Sequence, residues 1–216
     1  MSRRMAFTLA IVIFSWAFSS CAAQKRSGPS GTAVPLSEFP TLAAKYNQEI
    51  ALRHNEIRVQ IELSKGEYAP EDAINVKVTL INETNTDVIA RRPDAKTNQI
   101  SAYSDTNNEI VFTVIPTDPS ISLTFPIPPG PFSGSLANPP EDFMLLPPNE
   151  SYEAVITMPQ PLHPIPLGQY SMSLKYRNYL FGADGPKDSG QFIDYHGWMG
   201  EIESNIVSFS IVPDNK

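Results

Sequence analysis

The sequence predicts an all-β fold, a sandwich or small barrel of antiparallel strands, and three observations carry that prediction. Ile57, Val59, Ile61 and Leu63 alternate with Glu56, Arg58, Gln60 and Glu62. Ile74, Val76, Val78 and Leu80 repeat the period after a turn at residues 65–72 that carries Gly66 and Pro70. A period of two places apolar side chains on one face of a strand and polar ones on the other, so both stretches read as half-buried strands of a sheet with one wet face. The third observation is composition: 21 prolines in 216 residues, 10% aromatics and only 18% charged residues. That is too apolar for a disordered chain and suits a β domain with many turns.

At the start of the chain, Arg3 and Arg4 precede a stretch, residues 6–18, that is apolar except for Thr8 and Ser15. It is shorter than the ~20 residues a membrane span needs and has the layout of an export signal. Phe18-Ser19-Ser20-Cys21 resembles the lipobox of bacterial lipoproteins, with Phe18 standing where that family usually has Leu. The resemblance implies cleavage after residue 20, a diacylglycerol on the Cys21 thiol and acylation of the new amine. It also implies, through Ala22, sorting to the outer membrane where the host has one. The alternative is an ordinary signal cut at Cys21-Ala22-Ala23, leaving a soluble protein. Residues 1–20 are therefore expected as signal, 21–55 as a lipid-anchored tether with a short helix in its second half, and 56–213 as the sandwich. Residues 22–40 have a flexible Ala/Gly/Ser/Pro composition. Leu42, Tyr46 and Ile50 recur at helical spacing.

Beyond residue 80, residues 100–104 and 110–115 flank a polar stretch and predict a hairpin. Ile121, Leu123, Phe125 and Ile127 alternate but meet Pro126 and Pro128, which confines any strand there to an edge. Prolines crowd residues 116–148, which read as a proline-rich insertion outside the core. Residues 151–158 resume strand character, and 205–212 close the domain with Val207, Phe209 and Ile211. Leu167-Gly168-Gln169-Tyr170-Ser171-Met172 follows a proline-rich corner and opens a strand with Tyr170, Met172, Leu174 and Tyr176 on one face. It resembles the tyrosine corner of immunoglobulin-like sandwiches, in which the Tyr hydroxyl bonds back to the backbone of the turn. Met172 stands where antibody domains place a cysteine. The resemblance implies a single immunoglobulin-like antiparallel β-sandwich with a long loop before the last strand.

Charge excludes one class of partner. Removing Arg3 and Arg4 from the 16 basic residues leaves 14 against 23 acidic, a mature net charge of −9. With no basic run, there is no electrostatic basis for nucleic-acid binding. The lone cysteine rules out an internal disulfide. No serine sits in a Gly-x-Ser-x-Gly elbow, and no cofactor motif is present. Glu71–Asp72 and Glu141–Asp142 look like solvated turns.

Three features remain as candidate sites. Tyr195, His196 and Trp198, beside Gly197 and Gly200, form a candidate binding loop for a glycan or protein, with a core plug as the plainer reading. Asp184 and Asp188 offer oxygen atoms to calcium, but their spacing is not that of an EF-hand and suits turns. Asp194 and His196 are a carboxylate–imidazole pair without further histidines at zinc spacing. Asn82-Glu83-Thr84 has the form of a glycosylation acceptor. The function expected is a non-enzymatic binding or structural module for envelope protein or glycan, held to a membrane through Cys21. The alternatives are a proteinase-inhibitor-like sandwich, whose residues 126–148 would enter a protease cleft, and a glycan-processing enzyme.

Overall fold

The alternating stretches become strands whose apolar residues go inward, with Ile57, Val59 and Ile61 buried and Gln60 and Glu62 exposed. The computed structural model describes residues 28–49, 56–95, 100–102, 110–126, 139–179 and 181–214. The export signal, Cys21, the polar stretch 105–109 and Ile127 lie outside the described residues. In chain order the elements are β1 (Thr32–Pro35), α1 (Phe39–Glu49), β2 (Ile57–Leu63), β3 (Glu67–Tyr68), β4 (Asn75–Asn82) and β5 (Val88–Arg91). There follow β6 (Ile100–Ser101), β7 (Ile110–Pro116), β8 (Phe143–Leu146), β9 (Ser151–Thr157) and β10 (Gly168–Asn178). The last are β11 (Gly182–Asp184), β12 (Gln191–Asp194), β13 (Gly200–Glu203) and β14 (Val207–Ile211).

Two sheets enclose the core. One is β2-β4-β9, antiparallel, with Val59 opposite Leu80 and Leu80 opposite Tyr152. The other runs β3-β14-β10-β7-β6, with β13 sharing the β14 side of β10. After β2 the chain changes sheets, and β3 lies parallel to β14, Tyr68 opposite Ile211. A three-strand sheet facing one built on β14, β10 and β7 is the immunoglobulin-like arrangement. The Tyr170 hydroxyl donates to the carbonyl of Pro166 at 2.6 Å, which is the corner bond the sequence predicts. Burial pushes the Tyr170 phenol above its ordinary pKa, so the hydroxyl keeps the proton it donates. Met172 is in the core.

Two expectations are corrected, and the stretch that the prolines allowed an edge strand at most forms none. Residues 100–101 and 110–111 pair in parallel, Ile100 opposite Ile110, so this is not a hairpin; alternation predicts neighbours but carries no information on direction. Residues 121–126 form no strand. Within the proline-rich insertion, β8 is core: Phe143, Met144 and Leu146 are buried. Its apolar run is short and bracketed by Pro139–Pro140 and Pro147–Pro148, which masked it.

The β5–β8 pair continues the β4–β9 ladder after a break, for Ile81 pairs with Ser151 and Val88 with Leu146. Asn82 fills the break. Its fully buried amide donates to the carbonyls of Thr86 and Leu146, each at 2.8 Å, and accepts from the Thr84 amide and hydroxyl at 2.9 and 2.8 Å. A side chain so enclosed is closed to glycan attachment in the folded state. Asp142 is likewise no solvated turn: it faces Arg91 at 3.8 Å, and both side chains are buried.

The N-terminal segment is tied down. β1 pairs with β12 from Thr32–Asp194 to Pro35–Gln191. Its side chains are mostly exposed, so the strand is held through backbone bonds and nothing in its composition signals it. On α1, Phe39, Leu42, Ala43 and Tyr46 pack against Phe181, Phe192 and Met199. Pro40 sits in the first turn, where the missing N–H costs no helix bond.

Candidate functional site

The segment between β10 and β14 carries the residues singled out as a binding loop, and it is built as a small subdomain. β11 and β12 form an antiparallel pair that β1 extends to three strands. Trp198 is fully buried and stacks on Tyr176 with centroids 5.6 Å apart and planes at 15°. Its backbone N–H donates to Ile89 at 2.6 Å, and its carbonyl accepts from the Asn178 amide at 2.5 Å. The neighbouring Gly200 has φ +152°, and a Cβ there would lie 3.2 Å from the indole. Glycine thus lets the chain close over Trp198 rather than display it. Tyr195 is buried against Phe143. Burial first, and the Glu141 carboxylate second, push its phenol above the ordinary pKa. Of the three residues, His196 alone is exposed.

The sequence pair Asp194–His196 closes around a third residue, Tyr46 from α1. The Tyr46 hydroxyl lies 2.6 Å from Asp194 Oδ1 and 2.7 Å from His196 Nδ1, and the His196 backbone N–H donates to the same carboxylate at 2.7 Å. The hydroxyl has one proton and a carboxylate only accepts. Tyr46 therefore donates to Asp194 and accepts from His196, which requires a proton on Nδ1. His196 takes a left-handed backbone, φ 49°, to make this turn. Tyr46 also stacks on Phe181 at 4.2 Å. The cluster is a latch between α1 and the subdomain. Its hydroxyl is enclosed, Asp194 is half-buried and the imidazole lies outside.

Asp184 is exposed at the end of β11, and Asp188 sits in the tight turn that follows with φ 63°. Among the described residues no group of three or more His, Cys, Asp or Glu is placed to hold a metal ion. No described helix is long and apolar enough to cross a membrane. On the β10–β13 surface Glu201 accepts from Arg177 Nε at 2.6 Å and pairs with Lys175 at 2.7 Å. Partial burial opposes its ionisation, but Lys175 and Arg177 prevail and hold its carboxyl below the usual range.

An apolar surface lies at the other end of the sandwich, near Gly168. Val114, Pro116, Ile121, Leu123, Phe125 and Leu162 line an open groove of about 770 Å³. Leu162 is 61% exposed, with Ile115 at 57% and Leu167 at 53% on the same end. The Leu162 N–H donates to Thr124 at 2.8 Å, which fixes the groove wall. Thr117 donates to Gln169 at 2.8 Å, and this sets the hydrogen-bond phase along β7. The Ile121/Leu123/Phe125 alternation was readable in sequence. That Leu162, some forty residues later, supplies the facing wall was not.

No protein-family model matches this chain, and no curated protein matches it. The fold and surfaces define an all-β sandwich with an apolar groove at one end and a structured subdomain at the other.

Proposed function

We propose that the protein is an extracytoplasmic, non-enzymatic binding module, anchored to a membrane through lipid on Cys21, that takes an extended apolar protein segment in the groove at the Gly168 end. The groove is the observation that carries this reading. Its lining offers apolar side chains on two facing walls, Ile121, Leu123 and Phe125 on one and Leu162 on the other, between which the side chains of an extended segment fit. Leu162, 61% exposed on the groove wall, is an apolar side chain displayed to solvent of the kind that marks protein contact sites. The lipobox-like Phe18-Ser19-Ser20-Cys21 supports the anchor. Trp198 and Tyr195, being inside, are not the contact residues.

The test is capture of partners from envelope extract with the soluble sandwich. A Leu162→Asp variant should lose a partner that wild type retains, while His196→Ala, at the opposite end, should keep it. Equal recovery by Leu162→Asp and wild type refutes the groove as the contact surface.

A further inference from the structure

We propose that the sandwich stands on the membrane with the β1/β12 end toward the bilayer and the groove end away from it. This inference rests on the Cys21 anchor reading and adds an orientation that the anchor alone does not fix. A free tether running up to residue 56 would let the domain tumble at any angle. The chain is instead captured long before that.

Capture begins at residue 31. A Cβ on Gly31 would lie 2.7 Å from Tyr195 Cδ1 and 2.9 Å from the Asp194 carbonyl, so the backbone presses directly on β12 and only glycine fits. β1 then pairs with β12 over four residues, Leu36 donates to Gly190 at 3.0 Å, and the Tyr46 latch and Phe181 stack hold α1. Residues 21–30 thus join the anchor to the point of capture. Even fully extended, the path from residue 21 to residue 31 is no longer than ~36 Å.

All these attachments lie on the subdomain that follows Asn178, at one end of β10. The groove lies at the other end, where Pro116 pairs with Tyr170. An eleven-residue strand separates the two ends by about 34 Å. The captured end therefore stays within one tether length of the acyl chains. The groove end can lie as much as a strand length farther out, so on average it faces away from the lipid.

The test uses the full lipidated chain in phosphatidylcholine vesicles carrying a headgroup acceptor dye. With Cys21 consumed by lipid, Tyr179→Cys or Ser120→Cys supplies a single free thiol for a donor dye. Both positions are exposed, so neither substitution disturbs the core. Energy transfer from position 179 should exceed that from position 120 severalfold, and a long Gly/Ser spacer inserted after Gly28 should shrink the difference. Vesicle-bound protein with equal transfer from both positions, or more from position 120, overturns the orientation and leaves the anchor standing. Wild type that partitions no more to vesicles than Cys21→Ser overturns the anchor, and the orientation with it.

Discussion

Removing one oxygen atom, in Tyr46→Phe, should loosen the N-terminal segment without unfolding the sandwich. The hydroxyl gives up a bond to a carboxylate at 2.6 Å and one from an imidazole at 2.7 Å. Bonds to charged groups contribute ~1.5–3 kcal/mol and neutral ones about 1 kcal/mol. Asp194 is half-buried, so water recovers part of this. A net cost of about 1–2 kcal/mol follows, raising local opening roughly 5–30-fold. The ring stays, and with it the stack on Phe181. Amide hydrogen exchange should therefore accelerate by that factor in β1 and α1 while β10 amides keep their rates. Tyr46→Ala, which also empties the ring site, should add ~3 kcal/mol and release the segment. Unchanged exchange in Tyr46→Phe, or equal acceleration in β10, would refute the latch as a local device.

Three further outcomes are expected. Asn82→Ala strands the buried Leu146 carbonyl and loses bonds to Thr84 and Thr86, so urea denaturation should give a loss of about 3 kcal/mol; a change below about 0.5 kcal/mol, the scale of an ordinary surface substitution, would mean the break in the ladder does not depend on it. Trp198→Ala should cost ~3–5 kcal/mol of stability yet leave partner capture intact wherever the variant remains folded; loss of capture by folded protein would return the contact site to this loop. Partial burial works against Asp94 ionisation, but bonds from Arg92 and Tyr152 win and hold its carboxyl below the usual 3.8. A lowered folded pKa stabilises above the unfolded value and is lost as pH falls through the folded one. Asp94→Asn should therefore lower Tm at neutral pH, with the two proteins converging as pH falls below the unfolded value and through the folded one; a constant gap at all pH values would contradict this.

What could be read in advance followed from local periodicity. Strands 57–63 and 75–82 alternate because one face meets the core, and the Tyr170 corner has its partner four residues away. What could not be read depends on chain segments that meet only after folding. Tyr46 finds Asp194 and His196 about 150 residues on. Asn205 donates to and accepts from the backbone of Ile61 at 3.1 and 2.8 Å, so an amide side chain stands in for a neighbouring strand at the edge of β2. β1 shows no alternation because its ladder is all backbone. The aromatic cluster at 195–198 was visible, but its glycines fitted either an exposed binding loop or a core plug. They serve close packing, a distinction that depends on what lies opposite.

The length of β10 has a mechanical consequence. It touches the subdomain at one end and the groove at the other, and its partners β7, β13 and β14 pair with it across almost its full span. A pull applied between the two ends runs along this strand, at right angles to its inter-strand bonds. Those ladders are then strained in shear, and many must give way together rather than open one rung at a time. The sandwich is thus stiffest along the line joining its two ends, as a spar must be if it carries tension.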